Sequence, residues 1–153
     1  MKQNPIWDRI QENMRLGVIS QTGFLGRDLR KLIDIVEEDH RQVSAQGLTH
    51  EEIAQRMENI SLMGKTGFGN PVKVDDIFQV TVEDSRGVMP CPFGHKGVYP
   101  KENTRVVNLR TGEGISWTAL NIHMIREHGF YEGKGSPFRV EPEDIIRILE
   151  LRK

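Results

Sequence analysis

Along the first sixty residues, apolar positions recur every three or four places. Ile6, Ile10 and Met14, with Trp7 beside them, predict a short amphipathic helix over 5–16 that Gly17 ends. Residues 17–26, with Ser20, Thr22, Gly23 and Gly26, read as a loop from which Phe24 and Leu25 pack down. Leu29, Leu32, Ile33, Val36, His40 and Val43 share one face of a second helix over 27–44, closed by Gly47. Thr49 followed by Glu52 is a capping box, in which each residue satisfies a free backbone donor of the other. It opens a third helix whose stripe is Ile53, Met57 and Ile60 and which ends near Gly64.

After residues 64–71, which carry three glycines and a proline, the period changes to two. Phe78, Val80 and Val82 alternate with Gln79, Thr81 and Glu83, the mark of a half-buried strand. Asp84-Ser85-Arg86-Gly87 is expected to turn the chain, so that Val88-Met89 returns antiparallel until Pro90 and Pro92 stop the ladder. A second strand is expected over 104–109, with 114–117 pairing back after the turn at 110–113. Ser116 or Thr118 then caps a helix through His128, and Gly129 is the residue type that ends helices. Phe130, Tyr131 and Phe138 anchor the polar stretch 129–139. Pro142 opens a last helix on Ile145, Ile148 and Leu149.

These elements predict an α+β fold: a helical N-terminal part over 1–70, then a mixed part over 71–153 with a small antiparallel sheet, a ββα-like module and a C-terminal helix. The two parts could equally form one compact domain. A chain of 153 residues can bury a core without disulfides. Its 21 basic and 22 acidic side chains leave a net charge of -1, so no bulk field draws it to nucleic acid or to an anionic membrane. One cysteine cannot form an internal disulfide, which fits a reducing compartment. With no signal-like leader and no apolar run long enough to span a bilayer, a cytoplasmic protein is expected.

Candidate chemistry is confined to 91–129. Cys91 and His95 flank Pro92-Phe93-Gly94, a tight loop able to bend around an ion, and His123 and His128 stand on the following helix. Cys-x3-His, a hairpin and His-x4-His resembles the ββα layout of Cys/His zinc modules, which implies zinc held by Cys91, His95, His123 and His128. The stretch between His95 and His123 is more than twice the roughly 12 residues of a common zinc finger. On an ideal helix His123 and His128 point about 140° apart. Their convergence therefore calls for a last turn tightened to 3₁₀ form. His123 and Glu127, about 40° apart, chelate more easily. With His95 they would make a two-histidine, one-carboxylate hydrolase site with a position left for water. Metal-free roles compete: His128 as the cation at a helix C-terminus, Cys91 as a small buried apolar residue.

Other signals are weaker. Gly64-Lys65-Thr66 lacks the earlier glycine and preceding strand of a phosphate loop. Lys96, Lys101, Arg105, Arg110 and Arg126, with Tyr99 and Trp117 among them, could hold single-stranded nucleic acid, although Glu102, Glu113 and Glu127 dilute the charge. The leading expectation is a non-enzymatic module built on a Cys/His zinc site, for nucleic acid or a protein partner. The hydrolase and a metal-free interaction or homo-oligomeric domain are its rivals.

Overall fold

The computed structural model describes residues 2–151 and has the expected α+β architecture. Its helices are α1 (Pro5–Asn13), α2 (Leu32–Ala45), α3 (His50–Gly64), α4 (Ala119–His128) and α5 (Pro142–Ile148). Strands β1 (Val72–Val74), β2 (Phe78–Pro90), β3 (Val98–Asn108) and β4 (Gly114–Thr118) form an antiparallel sheet in the order β1-β2-β3-β4. Val80 faces Val106 and Val82 faces Thr104 across the central pair. These residues are buried, whereas Gln79, Glu83 and Arg105 are exposed. One face of the sheet is thus covered and the other wet, as antiparallel sheets commonly are.

The capping box of α3 forms as read: the Glu52 backbone N–H donates to Thr49 Oγ1 at 3.1 Å, and the Thr49 N–H donates to Glu52 Oε1 at 3.1 Å. The second helix starts later than its apolar stripe indicates, at Leu32, and Leu29 is 98% exposed. Asp28 is the reason. Its carboxylate accepts from the Arg30 backbone, the Arg30 guanidinium and the Lys134 backbone, which holds 28–31 in a turn rather than a helix. The free donors of α2 are then satisfied from outside: Leu32 N–H by Gln11 Oε1 at 3.0 Å and Ile33 N–H by Gln3 Oε1 at 2.8 Å.

The turn expected at 84–87 is a bulge within one long strand. Ser85 pairs with Lys101 and Val88 with Pro100, so Arg86 and Gly87 are extra residues on β2, and Gly87 absorbs them at φ +101°. β3 correspondingly starts at Val98, well before residue 104. Pro100 is tolerated there because β4 reaches only as far as Asn103, leaving that end of β3 an edge.

The larger core cluster joins Ile53, Met57 and Ile60 of α3 to Val80, Val82, Val106 and Trp117 of the sheet and to Ile145 and Ile146 of α5. Residues from both sides of the glycine-rich segment 64–71 therefore share it. Helix α3 approaches the sheet at Gly64, where an added Cβ would lie 2.5 Å from a Val80 methyl. The buried Trp117 indole donates to Ser61 Oγ at 2.9 Å, and Ser61 pairs with Thr104 at 2.6 Å, so the polar atoms under the sheet are matched. A second cluster gathers Met14, Phe24, Leu32, Ile35, Leu120, Met124 and Phe130 around Cys91. This cluster positions the candidate site.

Candidate metal centre

β2 ends at Pro90, and the chain reverses into β3 through Cys91-Pro92-Phe93-Gly94-His95. The Gly94 N–H donates to the Cys91 carbonyl at 3.1 Å, and Gly94 and Gly97 take φ values of +84° and +104° that a side chain would strain. The loop folds over its own cysteine. Cys91 is 3% exposed, and its sulfur receives the backbone N–H groups of Phe93 and His95. Burial pushes the thiol pKa up; the two amides act in the opposite direction, and they are the donors a thiolate needs.

The histidines of α4 approach from the other side. Thr118, not Ser116, caps this helix, with Asn121 completing a capping box, and Gly129 ends it at φ +61°. Gly129 is required for a second reason: an added Cβ would lie 2.8 Å from His50 Nε2. Arg126 pairs with Glu58 at 3.0 Å and fastens α4 to α3.

The tightening to a 3₁₀ turn expected near His128 does not occur; α4 remains α-helical through that residue. The two imidazole rings converge nevertheless, on a regular α-helix. Their centroids are 5.4 Å apart. Phe93 stacks on His128 at 3.9 Å with an interplanar angle of 8°, fixing that ring from the loop side. His128 Nε2 then lies 3.6 Å from Cys91 Sγ.

Tyr99, on β3, orients the other imidazole. Its hydroxyl is 2.9 Å from His123 Nδ1, and its ring stacks on the imidazole at 4.4 Å. Among the described residues, His123 Nε2 is buried with no hydrogen-bond partner. A histidine tied by one nitrogen and left vacant at the other is the usual state of a metal ligand awaiting its ion. His95, exposed at the mouth, brings its ring 4.4 Å from that of His128. Burial lowers the pKa of His123 and, together with the neighbouring rings of His95 and His123, takes His128 down to about 4. Both shifts favour the neutral imidazole, the form that binds metal.

The structure therefore brings Cys91, His95, His123 and His128 together: one ligand atom from each lies within 4.8 Å of all the others. Tetrahedral zinc with nitrogen and sulfur ligands has edges of about 3.3–3.7 Å. The Cys91–His128 separation is already at that value. Such a cluster could hold a metal ion. Glu127 is exposed and is not one of the four, so the set His95, His123 and Glu127 is not assembled in preference to the one containing Cys91. Sequence spacing misses Tyr99, Phe93 and the two loop amides, because each reaches the site through the strand reversal rather than through a motif.

Among the described residues, no helix is long and apolar enough to cross a membrane. Comparison with protein-family models, with curated proteins and with solved structures finds no significant match.

Proposed function

We propose that Cys91, His95, His123 and His128 bind one zinc ion and that the ion is structural, clamping the β2–β3 reversal to α4 in a non-enzymatic binding module. The observation that carries this reading is the convergence of four ligand atoms within 4.8 Å from a loop and a helix remote in sequence. One thiolate with three imidazoles suits zinc, and four protein ligands leave no open position for substrate. The partially vacant alternative would need Glu127 in place of Cys91, and its exposed side chain lies outside the cluster.

For the partner, a protein surface is favoured over nucleic acid. Val88 and Val98, 55% and 56% exposed, project from the two strands of the hairpin arm beside the centre, while the net charge is -1. Salt-sensitive binding of an oligonucleotide to this arm would favour nucleic acid instead.

The direct test is elemental analysis of protein purified without an affinity tag or chelator. About one zinc per chain is expected; no metal, with none taken up on titration, overturns the reading. Tyr99→Phe keeps the stacking ring but removes the partner of His123 Nδ1. Zinc affinity, read by competition with a chromophoric chelator, is expected to fall about 10–100-fold. Unchanged affinity would show that Tyr99 does not orient the ligand.

A further inference from the structure

Apart from the Cys/His centre, a cavity of about 320 Å³ opens where the loop at Thr22–Phe24 meets the start of α4 and the uncovered end of β3. None of the four candidate ligands lines it. Its walls are largely apolar, formed by Phe24, Met89, Leu120 and Phe138, and the volume is of the size that takes a single-ring molecule.

The most buried charged residue of the wall is Glu132. Glu132 is 3% exposed and sits at φ +71°, a left-handed conformation that disfavours any side chain. Glycine would be the low-cost choice at such a φ. The carboxylate accepts from Asn121 Nδ2 at 2.9 Å and from Ser136 Oγ at 2.8 Å. An ionised carboxylate offers about four acceptor positions, so these two bonds leave capacity for a donor. Among the described residues no cation makes a direct ion pair with it: Arg139 is engaged by Asp39 and Glu141 and donates to the Glu132 backbone carbonyl instead. The other charged groups on the wall are Glu102, which pairs with Lys65 at 2.9 Å, and the exposed Lys101. Burial raises the Glu132 pKa to about 7, the cost of holding an acid without its own counter-ion.

We propose that this cavity binds a small, mainly apolar molecule carrying a primary ammonium group, with Glu132 receiving the ammonium and Phe24, Leu120 and Phe138 enclosing the apolar body. The probe is phenethylamine, titrated into the full chain with its metal in place and followed by protein NMR. Saturable binding is expected with a dissociation constant of about 0.1–1 mM, the range ligand efficiency gives for a ligand of this size. Its anionic counterpart, 3-phenylpropionate, is expected not to saturate. Glu132→Gln should weaken phenethylamine at least tenfold. Because that variant could disturb the loop, Ser85→Trp serves as the second: Ser85 is exposed at the cavity wall, and a tryptophan there should block binding without lowering the melting temperature. No saturation by phenethylamine, equal binding of 3-phenylpropionate, or unchanged affinity in Ser85→Trp would each overturn the proposal.

Discussion

Cys91→Ser is expected to release the metal and to lower the melting temperature by about 10 °C. A ligand that binds only the folded state adds about 4 kcal/mol when its free concentration is a thousand times its dissociation constant. In a chain of this length each kcal/mol moves the midpoint by roughly 2–4 °C. Serine cannot replace the thiolate, because its hydroxyl stays protonated where a metal-bound thiol ionises. The same loss should follow when a chelator is added to the unaltered protein, and the chelator should then have no further effect on the variant. Differential scanning calorimetry with and without chelator reads both. If the unaltered protein melts at the same temperature in chelator, Cys91 is a buried apolar residue and the ion has no structural part.

A second large effect is expected outside the candidate metal centre. Asp39, 1% exposed on α2, is held by Arg139 through two hydrogen bonds of 3.0 and 2.9 Å, and the Arg139 side chain is only 6% exposed. The guanidinium also bonds Glu141 and the backbone carbonyl of Glu132, so it joins α2 to the segment leading into α5. Removing one member of such a pair leaves a buried charge without compensation, at a cost of about 3–5 kcal/mol. Arg139→Met should lower the urea midpoint accordingly, whereas replacing both residues, as Asp39→Leu with Arg139→Met, should restore much of the loss. If the double variant is no more stable than the single one, the penalty comes from the lost Glu141 and Glu132 contacts and not from the stranded carboxylate.

How far these features were visible in the sequence depends on how local their causes are. Thr49 with Glu52, Gly129 after His128 and Pro142 at the head of α5 act within one helical turn, and each marks the boundary it was read to mark. The start of α2 lies later than the stripe indicates because Leu29 fits the apolar pattern, while the competing bonds of Asp28 run partly to Lys134. The stretch 84–87 has the residue types of a turn, which a bulge shares; only the partner strand distinguishes them. At the centre, a lone cysteine near three histidines was conspicuous. The groups that aim them were not: Tyr99 reaches His123 from another element, and the pairing of Asp39 with Arg139 has no local signal at all.

The four candidate ligands fall two on either side of the turn at 110–113, with β3 and β4 between them. Cleaving the chain in that turn would leave Cys91 and His95 on one fragment and His123 and His128 on the other. Neither half alone carries more than two ligands of the set. If the cluster holds an ion as proposed, that ion would bridge the two fragments alongside the core they share, and the broken protein would reassociate more tightly when the ion is supplied than when it is withdrawn.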